Sequence, residues 1–130
     1  MRMRPALILV LAAAALLQGC EQQVDAPMDR GVCWHMVTVA GKPKFNVVAR
    51  GQADLEHCAA ELEKMRISFQ SLGVPQGDVT GAYQGQFLFI NRYGVFTAQA
   101  LKGYQYPFMV RTGDGRLAMP GAMPQQPGQQ

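Results

Sequence analysis

The sequence predicts an α+β domain in which one helix packs on a mostly antiparallel sheet, in the order ββαβββ. Three observations predict it. One stretch, 53–71, repeats apolar residues at three- and four-residue steps. The stretches on either side of it alternate apolar and polar residues and are rich in Val, Thr and aromatic side chains. The connections between them are short and carry Gly, Asn or Pro.

The bulk numbers allow one domain. The chain has 130 residues, 48% of them hydrophobic and 16% charged, too apolar for a disordered chain. The formal charge is +3, but Arg2 and Arg4 precede an apolar run. Without that segment ten Lys and Arg face nine Asp and Glu, scattered from Arg30 to Arg116 with no cluster. Nucleic acid is excluded as a partner, because its recognition needs a basic patch or stripe.

The N-terminal segment MRMRPALILVLAAAALLQGC has a basic start, an apolar middle and a small residue before a candidate cleavage point. Its uninterrupted apolar stretch, Ala6 to Leu17, has 12 residues. A bilayer-spanning helix needs about 20, so the segment reads as a signal peptide and not as a permanent span. Leu17-Gln18-Gly19-Cys20 resembles the lipobox of bacterial lipoproteins, with Gln18 in place of the usual small or aliphatic residue. The resemblance covers the first 20 residues only. It implies that residues 1–19 are removed, that the Cys20 sulfur carries diacylglycerol, and that the new amino group is acylated with a fatty acid such as palmitate. Two or more chains anchor stably, at about 0.8 kcal/mol per buried CH₂. Glu21 follows the cysteine. In the class, Asp there marks retention at the inner membrane, so the implied address is the outer membrane, facing the periplasm.

Residues 20–31 are polar, lack periodicity and read as the lipidated cysteine with a tether. Residues 32–111 form the expected domain. VCWHMVTV (Val32 to Val39) alternates, with Cys33, His35, Val37 and Val39 on one face. AGKP makes a turn, and KFNVVAR (Lys44 to Arg50) returns as the second strand of a hairpin. In the helix, Leu55, Cys58, Ala59, Leu62, Met65, Phe69 and Leu72 make the apolar stripe. Glu56, Glu63 and Lys64 lie away from that stripe, on the expected solvent side. Asp54 caps the start, and Gly73 with Pro75 stops the end. VTGAYQGQFLFI (Val79 to Ile90) reads as one strand with Gly81 and Gly85 as bulges or close-approach points. Asn91 to Gly94 is a turn, VFTAQAL returns, and YQYPFMVR is an edge strand because Pro107 cannot donate to a ladder. Residues 112–130, dominated by Gly, Pro and Gln, read as a flexible tail.

Three cysteines leave one unpaired. With Cys20 lipidated, Cys33 and Cys58 form an even pair in an oxidising compartment, and a disulfide between them would pin strand to helix. Such a staple would contribute about 3 kcal/mol to a small core. The competing reading is a metal site that uses Cys33, His35, His57 and Cys58 for zinc or copper, or Met119 and Met123 for Cu(I). It fits less well: adjacent helical residues His57 and Cys58 diverge by about 100°, and neither cysteine has standard zinc spacing.

Nothing in the sequence carries catalysis. There is no nucleophile elbow, no phosphate-cradling or dinucleotide glycine pattern, and Glu56, Glu61 and Glu63 read as solvated helix residues. The expectation is a protein that is not an enzyme and needs no cofactor. Aromatic residues crowd the second half, where Tyr83, Tyr93, Tyr104 and Tyr106 sit near turns or edges and could meet a partner. The expected function is therefore a lipid-anchored binding module for another envelope component, a protein. The alternatives are a metal-handling lipoprotein and an inhibitor of a lytic envelope enzyme.

Overall fold

The computed structural model describes residues 22–74 and 77–120. The expected signal peptide, Cys20, and the tail beyond residue 120 with Met123 lie outside the described residues. The domain is an α+β fold with one helix, α1 (Leu55–Ser71), on a seven-stranded antiparallel sheet. The strands are β1 (Cys33–Val39), β2 (Lys42–Ala49), β3 (Val79–Tyr83), β4 (Gln86–Asn91), β5 (Gly94–Ala98), β6 (Tyr106–Arg111) and β7 (Leu117–Ala118). Their order across the sheet is β2-β1-β3-β4-β5-β6-β7. Only the step that carries the helix, from β2 past β1 to β3, skips a strand.

The expected order of elements holds, with two additions. The stretch Val79 to Ile90 is a hairpin, not one strand: Gln84 and Gly85, at φ 43° and 85°, turn the chain between Tyr83 and Gln86. Two positive φ values in a two-residue loop match the right-handed twist of the flanking strands. The β1–β2 turn is built alike from Ala40 and Gly41, at φ 50° and 77°, so β2 begins at Lys42. Gly81 is a close-approach point as expected. A Cβ there would lie 2.3 Å from Leu62 Cδ1 and 2.6 Å from the Trp34 carbonyl oxygen. A Gly81→Val variant is expected to lose about 3 kcal/mol or more in urea unfolding, since the backbone oxygen cannot move aside.

The helix ends are specified locally. The Asp54 carboxylate accepts from the His57 N–H at 2.8 Å, which lowers the Asp54 pKa below its usual value. At the other end the Val74 N–H reaches Phe69 O at 3.0 Å and the Gly73 N–H reaches Gln70 O at 3.1 Å. With Gly73 at φ 74°, this is a Schellman closure. Leu72, expected at the end of the buried stripe, is the C-cap residue and is exposed.

The first face of the sheet meets the helix. Cys33, Cys58, Leu62, Leu88, Ile90 and Val95 are fully buried there. The Cys33–Cys58 disulfide joins β1 to α1 with a Cα–Cα distance of 5.2 Å, inside the range a bridge requires.

The second face carries Trp34, Met36, Phe45, Ala82, Phe87 and Phe89. It is covered by the segment expected as a tether. Ala26 is buried against Ala82 and Phe87, Val24 packs beside it, and Pro27 O accepts from the Gly85 N–H at 2.9 Å. Residues 24–31 therefore belong to the domain. The reason is the alternation of the strands: it leaves an aromatic face that one helix cannot cover, and Val24 and Ala26 supply the missing apolar contacts.

The first residues of the expected tail join the sheet. Leu117 and Ala118 pair with Arg111 and Val110 as β7. The connection is held by the Thr112 hydroxyl, which donates to the Asp114 carboxylate, and by the Arg116 N–H, which donates to it at 3.1 Å. Gly113 and Gly115 give the turn its two positive φ values, 87° and 86°.

Candidate functional site

The residues singled out from sequence fall into three environments. Tyr83, expected near a turn or edge, is enclosed. As the last residue of β3 it faces the helix side opposite Cys33 and is 5% exposed, and its hydroxyl donates to Gln52 O at 2.8 Å. Positions 79, 81 and 83 share one face of β3, so the ring turns inward with Val79. The hydroxyl ties the β2–α1 connection to the sheet, beside the Gln52 N–H to Gly31 O bond and the Gly31 N–H to Gln84 Oε1 bond. Tyr83→Phe is expected to cost about 1 kcal/mol in thermal or urea unfolding, the worth of one hydrogen bond.

Tyr93, Tyr104 and Tyr106 stand out from the surface, 61–70% exposed. Tyr93 lies in the β4–β5 turn, where the Arg92 guanidinium sits 4.7 Å from its ring centroid and donates to its hydroxyl. Tyr104 and Tyr106 meet edge to face, with centroids 4.7 Å apart. Tyr106 pairs with Thr97, towards the far end of β5 from Tyr93. The fold thus brings two of the three together and leaves Tyr93 apart.

The Tyr104–Tyr106 pair adjoins an open strand edge. β6 pairs with β5 along its inner side, while β7 reaches it only at Val110 and Arg111. Among the described residues, no strand lies beyond Tyr106 to Met109. Pro107 sits in that open part, which is why the ladder tolerates it. An exposed edge offers backbone N–H and C=O groups to an added strand, and two tyrosines beside it offer rigid amphipathic surface.

The groups considered for metal are dispersed. Both thiol sulfurs are committed to the disulfide. His35 shares the helix side with Cys33 and lies 6.1 Å from the Phe69 ring, while the His57 ring bonds Asp54 Oδ1 at 2.6 Å on the exposed helix start. Met119 is exposed. Among the described residues, no three His, Cys, Asp or Glu side chains converge on one point.

Burial lowers the His35 pKa below its usual 6.5. The unfolded chain then binds more protons than the folded one at mildly acidic pH, so the His35 contribution is present above about pH 6.5 and is lost as pH falls. Wild type is expected to unfold at lower urea at pH 5 than at pH 7.5, and His35→Gln to narrow that difference.

The structure also shows an ionic cluster that the sequence pattern hid. Glu63 and Arg66, both buried, lie on α1. Arg111 Nε and Nη2 donate to Glu63 Oε1 and Oε2, each at 2.7 Å, and Arg66 Nη1 is 3.7 Å from Oε1. Arg66 Nε also donates to Gly77 O. Glu63 was expected on the solvent side because it falls beside, not on, the apolar stripe. The end of β6 covers that side of the helix and brings Arg111 to it. No signal in the sequence pairs position 63 with position 111, 48 residues away.

No family model, curated protein or solved structure matches the chain. Among the described residues, no helix is long and apolar enough to cross a membrane.

Proposed function

We propose that this chain is a lipid-anchored cell-envelope protein that is not an enzyme and whose domain binds another envelope protein. Attachment rests on Leu17-Gln18-Gly19-Cys20 and the charged and apolar segments before it. The observation that carries the binding role is the exposed Tyr104–Tyr106 pair beside the unpaired Tyr106–Met109 edge of β6. Tyrosine enriches protein interfaces because it buries much area with few rotatable bonds. The disulfide favours an oxidising compartment, in keeping with an exported protein.

Two measurements test the reading. Cys20→Ala is expected to move the protein from the membrane pellet to the soluble fraction and leave thermal unfolding of the domain unchanged. Recovery in the pellet at wild-type level would refute lipid attachment. A photo-crosslinking amino acid at position 106 is expected to capture one discrete partner in intact cells, while the same group at Lys64, exposed on the helix, captures none. Equal yields at the two positions would refute the Tyr104–Tyr106 edge as the binding surface.

A further inference from the structure

The sheet ends at β2 on the side away from the exposed tyrosine pair, and among the described residues no strand lies beyond it. The register of β2 with β1 is regular from Lys42 to Val47 and shifts only beyond, at Val48. Ala40 and Gly41 form a two-residue turn, so the flanking residues Val39 and Lys42 exchange the first pair of ladder bonds. Alternation carries those bonds on to Lys44 with Val37 and to Asn46 with His35. Pro43, Phe45 and Val47 therefore turn their backbone groups away from β1, to the open side. Proline fits there, since it has no N–H to leave unpaired. The N–H and C=O groups of Phe45 and Val47 are the ones an added strand meets.

The side chains along this edge select among strands. Phe45 is half-buried on the second face of the sheet, and Val47, which shares that face, is 41% exposed. Lys44 and Asn46 alternate to the other face and are exposed. Residues 30–53 contain no Asp or Glu. Lys44 in the strand and Arg50 directly after it carry no ion pair among the described residues. A lysine on an edge disfavours neutral and basic strands. A second copy paired here would set Lys44 and Arg50 of both chains along one seam, so charge argues against it. An acid opposite Lys44 gains a cross-strand pair instead.

We propose that the free edge of β2 takes an extended segment of another protein as an added strand, with an Asp or Glu opposite Lys44 and apolar residues opposite Phe45 and Val47. The backbone of Phe45 and Val47 supplies the affinity, and Lys44, joined by Arg50, selects the acidic partner. This edge and the Tyr104–Tyr106 edge lie towards opposite ends of the sheet, so the two can be occupied together. The site does not depend on lipid at Cys20.

The test uses the full disulfide-bonded chain in nonionic detergent, with a short peptide that alternates Val and Glu and the same peptide with Lys in place of Glu. Amide hydrogen exchange is read residue by residue by NMR. The acidic peptide is expected to slow exchange at Phe45 and Val47. Lys44 and Asn46, whose amides already bond β1, are expected to be unchanged. The Lys peptide is expected to protect none of them. Lys44→Glu is expected to weaken the acidic peptide about fivefold or more, since an opposite-charge pair becomes a like-charge one, and to leave thermal unfolding unchanged. Equal affinity for the two peptides overturns the acidic partner. Protection at Tyr106 to Met109 with Phe45 and Val47 unchanged places the strand on β6 and overturns the β2 site, as does no protection by either peptide. Protection of Phe45 and Val47 that rises with protein concentration, without peptide, shows a second copy on the edge and overturns a strand from another protein.

Discussion

Reducing the Cys33–Cys58 bridge is expected to destabilise the domain by about 3 kcal/mol. The bridge closes a loop of 25 residues, and in the chain-entropy model that constraint on the unfolded chain contributes roughly this amount. For a domain of this size a loss of about 3 kcal/mol lowers the melting temperature by roughly 12 to 24 °C. The bridge is also the covalent link between β1 and α1, where it occupies the centre of the helix-side core with Leu62 and Leu88 around it. Calorimetry of the oxidised and dithiothreitol-treated protein measures the difference. A Cys33→Ala/Cys58→Ala variant gives the same comparison without reductant. A melting temperature unchanged on reduction would show that packing alone holds the helix to the sheet.

The second large effect is expected at Glu63. Glu63→Leu leaves two buried or half-buried guanidinium groups, Arg66 and Arg111, without their shared carboxylate. Removing one partner of a buried pair costs about 3–5 kcal/mol, because the remaining charge keeps its desolvation penalty. A triple variant, Glu63→Leu/Arg66→Met/Arg111→Met, is expected to lose less than Glu63→Leu alone. Apolar replacement of the whole cluster removes the penalty together with the attraction. Urea unfolding of the two variants checks this. If the single substitution costs under 1 kcal/mol, Glu63 is not the counter-ion that holds the two arginines.

The helix and the first strands were legible because their signals are local. Asp54, the stripe through Leu55, Cys58 and Leu62, and the Gly73 stop all act within one or two turns of the chain. β1 and β2 were legible from alternation, whereas Pro107 pointed to a final edge strand and β6 lies between β5 and the short β7, which forms the edge. The β3–β4 turn was missed because Gln84-Gly85 is not the Asn-Gly or Asp-Gly pair that announces such a loop, and apolar residues run on past it on both sides. Met28 sits over Gly85, where a Cβ would meet its sulfur at 2.4 Å. That glycine serves the docked N-terminal segment as well as the turn.

The candidate site divides in the same way. Tyr104 and Tyr106 read from the sequence either as caps of a small core or as rings for a partner; they are exposed, and no sequence signal announces their contact with each other. Tyr83 looked the same in the sequence and is enclosed, because inward or outward direction at a strand end depends on which face the helix covers. Glu63 shows the converse. An acid beside an apolar stripe reads as solvated until a strand from the other end of the chain arrives with an arginine.

What the sequence by itself determined was the α+β class and the single helix with its caps, since each follows from periodicity or capping chemistry, while the Cys33–Cys58 pairing was implied only through the lipobox resemblance that set Cys20 apart. Only the tertiary structure decided which tyrosines face outward, that Leu117 and Ala118 add a strand, and that residues 24–31 cover the second face of the sheet. Those outcomes depend on contacts between residues far apart along the chain. A segment such as VDAPMDRG has no periodicity of its own, and its order comes from the aromatic face that awaits it.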